Sequence, residues 1–165
     1  MSIGGSTTGA ELACLNPPHA APPPISRDER KQRLERARRL TADSGADALI
    51  INAGPSLRYF AGVPWGASER LVAMILPVDG EPVMICPAFE HGSLDAVLEI
   101  AADVRLWEED ENPFALTAGT LRDSGTNVVA IDPALPFEMA GRLSAESPTL
   151  RLQDASTVVN GCRMY

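Results

Sequence analysis

The feature that most constrains this chain is a set of short apolar runs that do not alternate with polar residues: Ala48-Leu-Ile-Ile-Asn52, Leu71-Val-Ala-Met-Ile-Leu76, Val83-Met-Ile-Cys86 and Val128-Val-Ala-Ile131. A strand with one wet face shows a period of two; a strand apolar at every position has to be covered on both faces. Helices on either side of a sheet provide that cover, as in a parallel sheet with crossover connections. One pair departs from the parallel rule. Asp79-Gly80 stands between the second and third runs, and Asp-Gly between two apolar runs is a strong hairpin signal. With Val104 to Trp107 and Leu150 to Gln153 as further strands, the expectation is an α/β fold in three layers. Its sheet is mixed but mostly parallel, of about six strands, with helices on both faces.

Order is expected to begin at Ser26. Ser26-Arg-Asp-Glu29 is a capping box, in which the serine hydroxyl and the glutamate carboxylate satisfy exposed amides of the first turn. Leu34, Ala37, Leu40 and Thr41 then recur at helical spacing, and Gly45 is a suitable stop. Short helices are expected over Pro55 to Ala61, about Glu90 to Ala101, Pro113 to near Gly125 and Leu135 to Ser144, with a last one starting at Asp154. Residues 1–25 are rich in Gly, Ser, Thr and Pro, with Pro17, Pro18, Pro22, Pro23 and Pro24 crowded together. Such a stretch buries too little apolar surface to offset its ordering entropy, so it reads as a flexible arm. The chain thus divides into an arm (1–25), one domain (26–155) and the beginning of a linker helix (156–165).

Charge and cysteine content exclude several classes of function. The net charge of −8 opposes nucleic-acid binding, which needs clustered Lys and Arg against phosphate. The three cysteines, Cys14, Cys86 and Cys162, are scattered, with no C-x-x-C pair, which suits reduced thiols and a cytoplasmic protein. No run approaches the roughly 18 apolar residues of a membrane span, and the N-terminus lacks the basic and apolar regions of a secretory signal.

Catalytic constellations are sparse. Of the two histidines, His19 lies in the arm and His91 follows Glu90 at the start of a short helix, where neighbouring side chains diverge. No histidine pair has ligand spacing, no glycine-rich loop follows a strand, and Cys86 ends an apolar strand where cysteine is usually inert packing. The acidic run Glu108-Glu-Asp-Glu111 leads into Asn112-Pro113, so it reads as a solvated loop before a helix start. Neither a catalytic residue nor a metal site is assigned. One segment invites a binding role: Gly62-Val-Pro-Trp-Gly-Ala-Ser-Glu-Arg70 carries an aromatic and an arginine among small residues. Trp65 by stacking and Arg70 by a bidentate pair suit a carboxylate-bearing ligand. Equally, Trp65 packs on its own domain and Arg70 pairs with Glu69 or another surface acid.

Ser56-Leu-Arg-Tyr-Phe-Ala-Gly-Val63 resembles the Asn-Ile-Arg-Tyr-Leu-Thr-Gly-Phe motif of creatinase/prolidase N-terminal domains. Gly45-Ala-Asp-Ala-Leu49 is similar to the family's Gly-x-Asp-Ala-Leu, and the Asp-Gly hairpin and the tail Gly161-Cys-Arg-Met-Tyr165 also have counterparts. The resemblance covers about 26–165 and departs from the motif at Ser56, Phe60, Ala61 and Val63. It implies a non-catalytic cap and oligomerisation domain of an Xaa-Pro metallopeptidase, whose own C-terminal catalytic domain holds a divalent metal (Mn, Co or Zn) and cleaves proline-containing peptides. It further implies a homodimer or homotetramer in which residues 63–70, with Trp65 and Arg70, lie close to the partner's active site. A stand-alone peptide-binding module is the alternative, and the coding sequence after Tyr165 separates the two. A flavodoxin-like domain is a third reading, for which Asn52-Ala-Gly-Pro-Ser56 is a weak phosphate loop.

Overall fold

A computed structural model describes residues 2–3, 5–14 and 23–164. Its centre is a six-stranded sheet in the order β6-β5-β4-β3-β7-β8, formed by β3 (Ala48–Asn52), β4 (Ala73–Pro77), β5 (Val83–Pro87), β6 (Asp103–Trp107), β7 (Val128–Ile131) and β8 (Arg151–Asp154). The pairs β5–β6, β3–β7 and β7–β8 are parallel, while β3–β4 and β4–β5 are antiparallel. The sheet is therefore mixed and mostly parallel. The Asp79-Gly80 turn makes the β4–β5 hairpin, with Gly80 at φ 108°, a conformation that favours glycine.

Every residue of β3, β4 and β5 is buried, and successive side chains divide between two cores. Leu49, Ile51, Met74, Met84 and Cys86 face one layer, with Leu57 and Phe60 of α3 (Pro55–Ala61) and Val158 and Val159 of α7 (Ser156–Arg163). Ala48, Ile50, Ile75, Ile85 and Val129 face the other, with Phe114 and Leu121 of α5 (Pro113–Asp123) and Met139 and Leu143 of α6 (Phe137–Glu146). Each Leu, Ile or Phe removed from water contributes about 1.5–3 kcal/mol. This two-sided burial explains why the strands lack polar alternation.

The first core also takes Leu34 and Ala37 of α2 (Arg27–Asp43), whose N-cap Ser26 accepts from Glu29 N at 3.1 Å. Asp47 has a specific task. Its Oδ2 accepts from Asn127 N at 2.8 Å and Val128 N at 2.9 Å, fastening the start of β7 beside β3. These two amide donors, Val128 first, hold its carboxyl below the usual aspartate range.

Several boundaries differ from expectation. The helix expected over 90–101 is a 3₁₀ turn (Ala88–Glu90) followed by α4 (His91–Val97); the chain leaves the helix because Glu99 N donates to Ala61 O at 3.1 Å. β4 begins at Ala73 and not at Leu71, although Ala53 N donates to Val72 O at 2.9 Å and carries the same register one step further. α6 begins at Phe137, after Pro136, and not at Leu135. Within the arm, β1 (Ser2–Ile3) and β2 (Ser6–Thr7) pair antiparallel and α1 (Thr8–Cys14) is helical with no buried residue. Pro17, Pro18, His19 and Pro22 lie outside the described residues.

Candidate functional site

The parallel strands end together at one rim of the sheet, where open α/β folds usually bind ligands. Because β4 runs opposite to β3, with Asn52 opposite Ala73, the segment 62–70 that joins α3 to β4 also stands at this rim. Phe89 follows β5, and Glu108 and Glu109 follow β6.

The segment is tied at both ends. At its start, Gly62 adopts φ 83° and donates to Arg58 O at 3.1 Å, closing α3. Arg30, only 5% exposed, donates through Nη1 to Arg58 O at 3.0 Å and to Tyr59 O at 3.2 Å, and through Nε to Glu99 Oε2 at 2.6 Å. A buried guanidinium thus satisfies the last carbonyls of α3 while Glu99 balances its charge. The Glu99 side chain lies against Gly62, so a Cβ there would fall 2.8 Å from its Cδ.

At its far end, Arg70 is engaged by carboxylates. Nε donates to Glu109 Oε1 at 2.9 Å, Nη2 to Glu109 Oε2 at 3.4 Å and Nη1 to Glu69 Oε1 at 2.8 Å. The guanidinium also stands 5.6 Å from the centroid of the Phe89 ring, which is 62% exposed. The hydrogen bond from Arg70 holds the Glu109 carboxyl below its usual range, and the bond to Glu109 raises Arg70 in turn. Between these ends, Trp65 is half-buried against the first core. Trp107 gives its Nε1–H to Leu71 O at 3.2 Å, but among the described residues the indole N–H of Trp65 has no acceptor. A tryptophan of that kind offers a flat apolar face and one donor.

Behind the segment, α3 is joined to α7. Tyr59 Oη donates to Cys162 O at 2.7 Å, Arg163 Nη2 donates to Ser56 Oγ at 3.0 Å, and Arg33 stacks on the Tyr59 ring at 4.0 Å. Ser56 lies inside α3, whose N-cap is Gly54, so it serves Arg163 and caps nothing. A separate groove of about 670 Å³, lined by Arg27, Lys31, Leu34, Leu98 and Ile100 among others, includes neither Trp65 nor Arg70.

The sequence singles out 62–70, Trp65 and Arg70 as candidates and offers Glu69 as the alternative partner of Arg70, a pair the structure forms. Sequence reasoning misses Glu109, Glu99, Arg30 and Phe89. Glu109 was read only as part of a solvated run, and Arg30 and Glu99 stand 69 residues apart with no local signal joining them.

A three-layer α/β domain with a helix-to-strand segment fastened at its carboxyl-end rim defines the structural class. The chain belongs to the creatinase/prolidase N-terminal domain family, whose profile matches residues 33–165. The probable dipeptidases PepE of Mycobacterium tuberculosis and Mycobacterium bovis are 32% identical to it over 108 residues, covering 63% of this chain and 29% of theirs. The solved dipeptidase PepE of Mycobacterium ulcerans superposes with a TM-score of 0.72 at 27% identity, over 84% of this chain and 37% of that one. The N-terminal domain of the Xaa-Pro dipeptidase from Lactobacillus brevis has the same fold, with a TM-score of 0.69 at 21% identity, over 78% of this chain and 98% of that one. The chain therefore spans between 29% and 37% of the mycobacterial relatives' length.

The metallopeptidase family raises the question of a divalent metal, and the side chains described here do not fit one. Among the described residues no three His, Cys, Asp or Glu converge as ligands. His91 Nε2 meets Asp95 at 3.5 Å with no third partner, and burial pushes the Cys86 thiol up to about 12, far from the thiolate that metals require. No described helix is long and apolar enough to cross a membrane.

Proposed function

We propose that this chain is the non-catalytic N-terminal cap and oligomerisation domain of an Xaa-Pro metallopeptidase, prolidase-like or aminopeptidase P-like, and that residues 62–70 border the substrate pocket of a partner subunit. The observation that carries this reading is the tethered segment itself. It stands at the carboxyl-end rim and bears, in Trp65, an aromatic face whose indole donor has no acceptor among the described residues, which also hold no cluster of metal ligands. The names of the relatives, dipeptidases and Xaa-Pro dipeptidases, supply the reaction class.

In this reading the chain's own C-terminal catalytic domain holds the divalent metal (manganese, cobalt or zinc) and performs the hydrolysis. The present residues shape the pocket, close it against water and orient a proline-containing peptide. Trp65 and Arg70 are the substrate-proximal pair. Assembly is a homodimer or homotetramer in the cytoplasm.

The test uses two preparations. The present chain, given manganese and an Xaa-Pro dipeptide, is expected to release no product; metal-dependent turnover would overturn the reading. In the longer protein, Trp65→Ala is expected to lower kcat/KM for the dipeptide about tenfold, the loss typical of an aromatic anchor, with the fold retained by circular dichroism at the assay temperature. Unchanged kinetics would remove the segment from the pocket.

A further inference from the structure

We infer that Arg70 is a positioning residue: with Glu109 it pins the far end of segment 62–70, as Arg30 with Glu99 pins the start, and its guanidinium is not the group that meets a ligand. The inference rests on the proposed cap role for the place of the segment, but its geometry stands alone. An arginine kept for a substrate carboxylate has to present one edge of its fork unoccupied. Here three of the five N–H groups already donate to carboxylate oxygens: Nε and Nη2 give their shared edge to Glu109 and Nη1 goes to Glu69, so a bidentate ligand would have to share nitrogens already committed. Glu90 adds a further negative charge nearby, and Phe89 takes the ring contact. An incoming carboxylate would enter a field set by three glutamates against one arginine.

The tether also has a reason. Residues 66–69 are exposed and contribute nothing to the core, so without end restraints they would sample many conformations. Glu109 follows β6 at once, and β6 is locked to β5 by a parallel ladder and to Leu71 through Trp107. The arginine thereby references the segment to the sheet. Trp65, between the two pinned ends, is held where its indole, whose N–H has no acceptor among the described residues, presents its outer face.

The first experiment needs only this chain. Amide hydrogen exchange over residues 62–70 is compared in the unchanged chain, Arg70→Ala, Glu109→Gln and the double variant. Each single change is expected to raise exchange about two- to fivefold, the effect of losing an exposed ion pair, and the double change no further. The swap R70E/E109R is expected to restore protection, which a packing role for the arginine stem would not allow. Additive effects, a silent Glu109→Gln or a failed swap would overturn the inference.

A second experiment, in the longer protein, separates it from the cap reading. If Arg70 pins the segment, Arg70→Ala and Glu109→Gln lower kcat/KM alike. If Arg70 binds substrate, Arg70→Ala raises KM while Glu109→Gln, which frees the guanidinium, does not, and the inference falls. Coupled exchange with kinetics indifferent to all these changes and to Trp65→Ala would leave the tether standing and the cap reading overturned.

Discussion

The Tyr59 hydroxyl donates to the Cys162 carbonyl at 2.7 Å, joining α3 to the last turn of α7 across 103 residues of sequence. The same ring is covered by Arg33 at 4.0 Å. Tyr59→Phe removes the hydrogen bond and keeps the ring, so a loss of about 1 kcal/mol is expected in urea unfolding, with an unchanged m-value. Tyr59→Leu also removes the surface under Arg33 and is expected to cost about 0.5–1 kcal/mol more. Equal stability of the two variants would show that the ring's contacts with Arg33, Phe60 and Arg163 together add nothing beyond the packing that Leu restores.

Gly62 and Gly125 separate two costs that are usually confounded. Both have positive φ, 83° and 72°, but a Cβ at Gly125 meets open space and one at Gly62 meets Glu99. Gly125→Ala is expected to destabilise by about 1–2 kcal/mol, the left-handed penalty. Gly62→Ala adds the displacement of Glu99 from buried Arg30, roughly 1–3 kcal/mol further. Thermal denaturation of the pair measures the difference, and equal losses would show that Glu99 yields freely.

Asp47 links stability to pH. Its folded carboxyl is depressed by the amides of Val128 and Asn127, so its contribution is full above the unfolded value near 3.8 and fades as pH falls through the lower folded value. Asp47→Asn is therefore expected to be less stable than the unchanged chain at pH 7. That gap should close as the pH drops below about 4. A gap independent of pH would assign the loss to geometry alone.

The three cysteines should react unequally. Cys14 is exposed, whereas Cys86 and Cys162 are buried, and burial raises both of their thiols, Cys86 to about 12. A disulfide reagent at pH 8 is expected to modify one thiol quickly in the folded chain and all three in denaturant. Cys14→Ser should abolish the fast phase; a second fast thiol would show that the first core, which holds both Cys86 and Cys162, opens readily.

Much of this fold was legible because the signals are local. A strand buried on both faces has to be apolar throughout, so Ala48–Asn52 declares both its geometry and its two helical neighbours' layers. The serine cap at Ser26 and the Asn112-Pro113 start each concern atoms within a few residues, and both hold in the structure, although the Glu29 carboxylate accepts from Arg33 and does not close the expected capping box. The misplaced helix over 90–101 failed for the opposite reason. Its sequence is compatible with helix to the end, but Ala61 O, 38 positions earlier, takes the Glu99 amide and Arg30 takes its carboxylate.

The candidate site divides along the same line. The sequence alone determined that a small-residue segment bearing Trp65 and Arg70 would join a helix to a buried strand, because composition and punctuation there are local properties. Whether Arg70 faces Glu69, Glu109 or solvent depends on strand order. Only a sheet that sets β5 between β4 and β6 brings the residues after Trp107 back to the start of β4, and that pairing minimises energy over the whole sheet and not within any window of sequence. The tertiary structure therefore decided which charges meet, and with them which end of the segment is held.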